Sequence, residues 1–158
     1  MSKNSEHPEH PEHPERIRKT SRALPIALLR ARESVMAPIR VMLADINLTE
    51  QKWRVLRTLD ECGGLEQTAI AKEACLLLPS LTRILRSMET DGLIKRDMDA
   101  ADKRRMMVSI TPAGREILTS NMQVSQDIYA SIERQLGRRK MEQLLDLLEE
   151  LQDIKTIE

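Results

Sequence analysis

The chain has 158 residues, which is enough for one compact domain with additional terminal segments. Its 25 basic and 25 acidic residues give a formal net charge of zero, so global charge does not indicate a nucleic-acid binder. One Trp, one Tyr and no Phe argue against the single-strand-binding modules that stack bases on aromatic side chains.

Cysteine content and hydropathy argue against disulfide-rich, zinc-binding, membrane and secreted proteins. Two cysteines are too few for a disulfide framework or a four-cysteine zinc site. No apolar run approaches the roughly 18 residues that span a membrane, and the charged, Pro-rich N-terminus is unlike a secretory signal. We therefore expect a cytoplasmic protein that does not enter the membrane.

The charges are segregated along the chain. Between Arg16 and Arg40 there are seven basic residues and a single acid, Glu33, whereas residues 142–153 are rich in acids. A neutral molecule with a basic side can bind a polyanion on that side. On composition alone, an ordinary solvated surface is the simpler interpretation.

Residues 1–20 are predicted to form a disordered, extended tail. His-Pro-Glu occurs three times in this segment, and Pro at every third position removes backbone donors and opposes a helix. All three histidines of the chain lie here, but a flexible His-rich tract binds metals weakly. We predict no functional metal site and no cofactor.

Two helices are predicted after the tail. Apolar residues spaced by three and four indicate a helix over residues 22–46, which Pro38 is expected to bend or restart. Thr49 is a suitable N-cap for a second helix whose buried face includes Trp53 and Leu56. Gly63-Gly64 is expected to end this helix.

The middle of the chain has the outline of a helix-turn-helix followed by a hairpin. Short helices are predicted over residues 66–73 and 79–90, and Asp91-Gly92 ends the second. Alternating patterns predict strands over residues 93–98 and 106–110. The charged residues between these strands would form the tip of a β-hairpin, a "wing".

Two helices complete the chain. Thr111-Pro112 is expected to open the first, and Gly137 separates it from the second. The apolar stripe on these two helices is too long for the preceding small three-helix domain to cover alone, so we expect a second subunit to cover it. The predicted fold is mainly α with a small β-hairpin: a winged helix-turn-helix domain plus a helical dimerisation region.

This order of elements resembles the MarR family of winged-helix regulators. The resemblance covers about residues 24 to 155, and three stretches carry it: residues 48–56, residues 79–96, and the wing signature in residues 102–114. Within the family, Leu-Leu-Arg-Ala-Arg-Glu at 28–33 and the segment 75–82 are similar to repressors of homoprotocatechuate degradation. Many members have Arg before the Ser-x-Thr of the recognition helix, whereas this chain has Leu78-Pro79 there, so the resemblance does not fix the base contacts.

The resemblance implies the division of the chain. A MarR-type domain would occupy residues 21–158, with a reader part at about 48–111 and dimerisation helices at about 22–46 and 112–155. The implied protein is a homodimeric transcription regulator that represses an aromatic-compound catabolic operon, binds a pseudo-palindromic duplex operator and is released by a small aromatic carboxylate.

Two groups of polar residues are the predicted DNA contacts. Hydroxyl and Arg side chains on the helix 79–90 suit the major groove, and basic side chains at the hairpin tip suit a phosphate or the minor groove. The predicted contacts are Ser80, Thr82, Arg83, Arg86, Lys103, Arg104 and Arg105. Asp102 is predicted to orient Arg104 through a bidentate pair.

Arg32 and Trp53 are the predicted effector residues. Arg32 lies on the apolar stripe of the first helix, where a buried or half-buried guanidinium needs an anion. The resemblance implies an effector pocket, in which Arg32 would bind a carboxylate and Trp53 would form an aromatic wall. Alternatively, Arg32 extends to water or pairs with an acid of a partner subunit.

The sequence bears on three other functions. Cys62 and Cys75 allow a thiol-responsive regulator, although a buried thiol that acts as a small apolar group is the simpler interpretation. A helical adaptor that does not read DNA is a second alternative. An enzyme is not expected, because the chain has no phosphate-binding Gly-rich loop and no His outside the tail to act as a general base.

Overall fold

A computed structural model describes residues 19–154. The His-Pro-Glu repeats, and with them the prediction of a disordered tail, lie outside these residues. The chain divides into two compact units at Ser34 and Val35. The elements in chain order are α1 (Leu24–Asp45), α2 (Glu50–Cys62), β1 (Leu65–Glu66), α3 (Gln67–Glu73), α4 (Leu78–Thr90), β2 (Ile94–Met98), β3 (Met106–Ile110), α5 (Pro112–Leu136) and α6 (Arg138–Gln152).

The predicted fold class is confirmed, with two differences in detail. The chain is mostly helical and has one small sheet, and each predicted helix and strand is present. Helix α1 does not restart at Pro38 but continues through it. Strand β1, which sequence analysis did not predict, adds a third strand to the wing sheet.

Strand β1 is too short to show an alternating pattern. It consists of Leu65 and Glu66, which pair with Val108 and Met107 of β3. All pairs are antiparallel, and the strand order is β1-β3-β2. The wing hairpin is therefore joined to the loop between α2 and α3 rather than standing alone.

Side-chain caps define the starts of α2 and α5, as predicted. Thr49 accepts a hydrogen bond from the Lys52 backbone N–H at 3.2 Å. Thr111 accepts one from the Gly114 N–H at 3.1 Å and donates its own hydroxyl to the Gly92 carbonyl at 2.6 Å. These bonds satisfy backbone donors that have no partner inside the helix, and the second cap also ties α5 to the end of α4.

The apolar core of the second unit surrounds α2. Val55, Leu56 and Leu59 of α2 are fully buried. Apolar side chains from α1, α3, α4, the sheet and α5 belong to the same cluster, including Ile39, Leu43, Ile70, Leu81, Leu85, Met88, Val108 and Leu118. Burial of side chains of this size stabilises by about 1.5–3 kcal/mol each.

Other apolar side chains are left open to solvent in the single chain. In the first unit, Leu24 and Leu29 are more than half exposed. In the second unit, Leu144, Leu145 and Leu147 of α6 are also exposed. A row of exposed leucines on a helix indicates a surface that another protein chain covers.

Gly114 permits the close approach of α5 to Leu93 and to Leu56 of α2. A Cβ atom at this position would lie 2.3 Å from the Leu93 carbonyl oxygen and 3.1 Å from Leu56 Cδ2. The first of these neighbours is backbone, which cannot rotate away. The glycine is therefore required by space.

We predict that Gly114→Ala lowers the free energy of unfolding by about 1–3 kcal/mol or more, because it overpacks a rigid contact. Gly64→Ala is the control, since its Cβ would only approach the Val108 carbonyl at 3.8 Å. Urea unfolding of both variants measures the difference. Equal stability of the two variants would contradict the close contact.

Candidate nucleic-acid interface and effector cleft

Helix α4 presents a polar surface with two free cations. Ser80, Arg83 and Arg86 are exposed. Within residues 19–154, neither arginine takes part in an ion pair or a side-chain hydrogen bond. Both guanidinium groups are thus available to bases or phosphates.

Thr82 has a different position from the other predicted contacts. It is half-buried, accepts a hydrogen bond from Gln67 Nε2 and donates to the Leu78 carbonyl at 3.1 Å. The hydroxyl therefore links the first residue of α3 to α4. Its predicted DNA contact stays a prediction, but the bond to Gln67 gives it a structural role.

The turn between α3 and α4 has strained backbone. Cys75 has a φ of +50°, in the left-handed region that favours glycine. The Leu76 N–H bonds to the Ala71 carbonyl and the Cys75 N–H to the Lys72 carbonyl, which is the Schellman pattern of a helix C-terminus. The carbonyls of the turn itself still need donors.

Arg54 of α2 supplies those donors. Its Nη1 donates to the Ala74 carbonyl at 2.8 Å and to the Cys75 carbonyl at 3.1 Å. Helix α2 therefore holds the turn that leads into α4.

Lys52 of α2 holds the other end of α4. Its Nζ lies 2.7 Å from Asp91 Oδ2, just past the last residue of α4. The hydrogen bond from Lys52, followed by its charge, lowers the pKa of Asp91 below its usual value. Both ends of the candidate recognition helix are thus attached to α2.

The wing loop is ordered by two aspartates. Asp99 Oδ1 accepts backbone hydrogen bonds from Ala101 at 2.7 Å and Asp102 at 3.2 Å, and these bonds lower the pKa of Asp99. Asp102 Oδ1 accepts the backbone N–H of Arg104 at 3.0 Å. Both are turns in which a side chain replaces a backbone acceptor.

The predicted Asp102–Arg104 side-chain pair is absent from the described part of the chain. Asp102 binds the backbone of Arg104 because its carboxylate closes the turn. The guanidinium of Arg104 and the ammonium of Lys103 remain exposed at the tip. Asp102 thus orients the Arg104 backbone in the free protein.

Unlike Lys103 and Arg104, Arg105 forms an ion pair within the described part of the chain. Its Nε donates to Glu66 Oε1 of β1, and this bond, together with the carboxylate charge, raises the pKa of Arg105. The side chain braces the wing against the sheet edge. Its predicted DNA contact stays a prediction and would have to compete with Glu66.

A groove of about 570 Å³ lies between the start of α2 and the exposed side of α4. Its lining includes Lys52, Ser80, Arg83 and Ser87. Hydroxyl and cationic groups along an open groove suit a phosphate backbone. The groove is therefore continuous with the candidate DNA surface.

A second, smaller cleft of about 230 Å³ lies on a different side of α2. The only Trp and the only Tyr of the chain, Trp53 and Tyr129, both line it. Its remaining lining residues are Arg54, Arg57, Thr58, Glu61 and Glu73. Two aromatic side chains beside two guanidinium groups match a small aromatic anion.

Arg57 is partly exposed in this cleft. It pairs with Glu61 one turn later at 2.5 Å, and its Nη1 lies 3.2 Å from Met122 Sδ. Arg54, Arg57 and Tyr129 are not among the effector residues predicted from the sequence. The signal for Arg57 was present, because it follows Trp53 by one helical turn and so shares its face.

Arg32 belongs to the first unit, where half of its side-chain surface is exposed and it contacts Glu33 at 3.5 Å. Trp53 is buried in the second unit. The proposed joint role of Arg32 and Trp53 in one pocket stays a prediction.

The expectation of buried thiols is wrong. Cys62 and Cys75 are both free and exposed. Cys62 is the last residue of α2, and Cys75 occupies the left-handed position of a surface turn, so neither faces the core.

Among residues 19–154 no helix is long and apolar enough to cross a membrane, and no three potential metal ligands cluster.

The comparisons with known proteins agree with this architecture. The model of the MarR family matches residues 48–106, from the start of α2 to the wing. The chain is 41% identical to the homoprotocatechuate degradative operon repressor of Escherichia coli, over 81% of this chain and 86% of that protein. The chain belongs to the MarR family.

Two solved structures are similar to this MarR protein. One is NadR in complex with 4-hydroxyphenylacetate, with a TM-score of 0.76, 37% identity and coverage of 88% of this chain and 99% of that one. The other is the repressor CouR bound to a 23-mer DNA duplex, with a TM-score of 0.71, 29% identity and coverage of 83% and 93%. The described relatives are transcriptional regulators.

The lowered pKa of Asp99 leads to a prediction about the wing. The fold favours the ionised carboxylate of Asp99, which accepts the hydrogen bonds from Ala101 and Asp102. The stabilisation from these bonds is fully present above about pH 4, the usual pKa range of an unfolded Asp. It is lost as the pH falls through the lower pKa that Asp99 has in the folded protein. We expect Asp99→Ala to speed amide hydrogen exchange in residues 99–105 at pH 7. Asp153→Ala, on an exposed residue after α6, is the control. Unchanged exchange in the wing would contradict this role.

Proposed function

We propose that this MarR protein is a homodimeric repressor of an aromatic-compound catabolic operon, released from a pseudo-palindromic operator by a small aromatic carboxylate that binds the Trp53 cleft. The observation that carries the effector is the convergence of Trp53, Tyr129 and Arg57 on one small cleft. The similarity to the homoprotocatechuate repressor and to NadR supports the same ligand class.

The dimer is supported by the apolar surface of the single chain. Leucines of α1 and α6 are exposed, and a two-fold partner would cover equivalent surfaces on both chains. The proposed division keeps a reader part at about 48–111 and dimerisation helices at about 22–46 and 112–155. A protein that binds DNA works where the DNA is, so the proposed location is the cytoplasm.

The proposed DNA contacts fall into two groups. Arg83 and Arg86 of α4 would enter the major groove with Ser80, and Lys103 and Arg104 would place charge in or beside the minor groove. Their supporting feature is that these cations are exposed, whereas Lys52 and Arg105 already hold carboxylates. A dimer would present two such sets about one helical turn, roughly 34 Å, apart.

A thiol-responsive regulator is the second candidate. The observation that favours it is the exposure of both cysteines, one of them in the turn before α4. Insensitivity of operator binding to peroxide would exclude this trigger.

We predict that Arg104→Ala weakens operator binding and lowers the slope of log affinity against log salt by about one unit, because one phosphate or groove contact is lost. Lys140→Ala, which removes one exposed positive charge from α6, is the matched control and leaves the slope unchanged. Fluorescence anisotropy between 50 and 200 mM salt, an interval over which phosphate contacts weaken binding strongly, measures both. Equal slopes for the two variants would remove Arg104 from the interface. Absence of any specific duplex binding would instead favour the adaptor alternative.

We predict opposite effects of two substitutions in the cleft. Arg57→Met weakens binding of 4-hydroxyphenylacetate about 10-fold or more, because a charge-assisted hydrogen bond is lost. Glu61→Gln tightens binding, because the ligand carboxylate no longer competes with Glu61 for Arg57. Isothermal titration calorimetry measures both constants.

Arg32→Ala in the same series tests the alternative anchor. Loss of acid binding in Arg32→Ala with unchanged binding in Arg57→Met would place the carboxylate at Arg32. No detectable binding of single-ring aromatic acids to the unsubstituted protein would reject the proposed effector class.

A further inference from the structure

We propose that Arg54 is the positioning residue that couples the effector cleft to the recognition helix α4. This inference rests on the proposed function, in which an aromatic acid occupies the Trp53 cleft. It concerns how occupancy of that cleft changes DNA affinity.

Arg54 is shared between the cleft and the turn before α4. Its side chain lines the cleft together with Glu73, which is the last residue of α3. Its Nη1 donates to the carbonyls of Ala74 and Cys75, the next two residues of the chain. One guanidinium therefore touches both the wall of the cleft and the backbone that leads to α4.

The guanidinium of Arg54 has unused donor capacity. Its Nε is buried and has no hydrogen-bond partner among residues 19–154. A buried cationic donor without a partner is unfavourable, and a carboxylate would satisfy it. An acid in the cleft is thus expected to draw the guanidinium toward itself and away from the turn carbonyls.

The conformation of the turn at Cys75 depends on the hydrogen bonds from Arg54. Cys75 adopts the left-handed conformation without being glycine, and its carbonyl depends on Arg54. When Arg54 withdraws, the turn loses the donor that helps to hold this conformation. Helix α4 begins at Leu78, only three residues later, so movement of the turn moves the start of α4.

The opposite end of α4 stays in place. Asp91 remains joined to Lys52 of α2, and neither residue lines the Trp53 cleft. The expected motion is therefore a pivot of α4 about its C-terminal end. Its first turn, which carries Ser80 and Arg83, moves most, and DNA with fixed half-site spacing tolerates little displacement.

Release also requires that the acid bind one conformation better than the other. The Arg54-withdrawn state offers the acid an additional donor, so the acid stabilises that state. The coupling is reciprocal: operator DNA should weaken acid binding by the same factor.

The test uses the full-length protein, a labelled duplex containing its operator, and 4-hydroxyphenylacetate as the probe. Operator affinity is measured by fluorescence anisotropy without acid and with saturating acid, and acid affinity by calorimetry. Arg54→Lys keeps the charge but has a single point donor that does not reproduce the guanidinium fork. Arg115→Lys is the matched control, because Arg115 of α5 also pairs with α2, through Asp60 at 3.4 Å.

A second variant separates coupling from simple stabilisation of the turn. Cys75→Gly, added to Arg54→Lys, removes the strain of the left-handed residue. Arg54→Lys alone weakens the support of the turn and is expected to lower the thermal midpoint and the acid-free operator affinity. In the double variant, glycine at position 75 adopts the left-handed conformation without strain, so both values should return to those of the unsubstituted protein. It also serves as the measured protein if Arg54→Lys alone folds poorly.

The expected result is a loss of coupling with retention of both ligands. The unsubstituted protein and Arg115→Lys should lose operator affinity 10-fold or more on addition of acid, within the usual range of allosteric coupling. Arg54→Lys and the double variant should lose less than about twofold, with acid binding that is weakened by loss of the Arg54 donor but still measurable, because Arg57 still binds the carboxylate.

Four outcomes would overturn the proposed coupling through Arg54. Undiminished coupling in Arg54→Lys would show that another residue carries it, and restored coupling in the double variant would show that Arg54 only supports the turn. Loss of all detectable acid binding in Arg54→Lys would show that Arg54 is the main anchor of the acid rather than the residue that couples the cleft to α4. If the unsubstituted protein ignores the acid while binding its operator, the proposed effector itself fails and the coupling with it.

Discussion

Val55, Leu56 and Leu59 of α2 are almost completely removed from water, and side chains from α1, α3, α4, the sheet and α5 pack around them. Loss of this packing would detach α4 and the wing from each other. Polar side chains of the same helix then add direction to the apolar contact. Lys52 and Arg54 connect α2 to the two ends of α4, so one helix determines where the recognition helix lies.

Helix α2 therefore has two faces with separate tasks. Residues 55, 56 and 59 point to one side, whereas residues 53, 54, 57 and 61 lie on the other, as the 100° rotation per residue requires. The first face is apolar and buried. The second carries an indole ring, two guanidinium groups and a carboxylate around an open cleft.

The division of the cations explains how a chain of zero net charge can suit a polyanion. Some cations are occupied inside the protein: Lys52 by Asp91 and Arg105 by Glu66. Others, such as Arg83 and Arg86, have no partner among the described residues. The total charge counts both kinds equally, whereas an approaching duplex meets chiefly the unpaired ones.

Periodicity and caps predicted the helices, because several of them begin or end at a residue with a local reason to be there. Thr49, Thr111, Gly63 and Gly137 act within a few residues of their own position. Strand β1 escaped prediction because two residues show no period, and its existence depends on the distant β3.

Residues of the candidate site were harder to predict for the same reason. The tip residue Arg104 is exposed by hairpin geometry, which a sequence shows. The role of Arg54 depends on the carbonyls of Ala74 and Cys75, twenty residues away, and the partner of Arg105 is Glu66 of the unpredicted strand. Exposure of the thiols likewise depends on where α2 ends and on the backbone conformation at Cys75.

The separation of the two faces of α2 has a consequence for how such proteins diverge in evolution. Substitutions at Arg57, Glu61 or Tyr129 change the shape and charge of a solvent-open cleft without removing any side chain from the core. Under the proposed function, the small molecule that such a protein binds can therefore change while the packing around α2 keeps its stability. Inheritance of the fold then places few restrictions on the metabolite that a descendant senses.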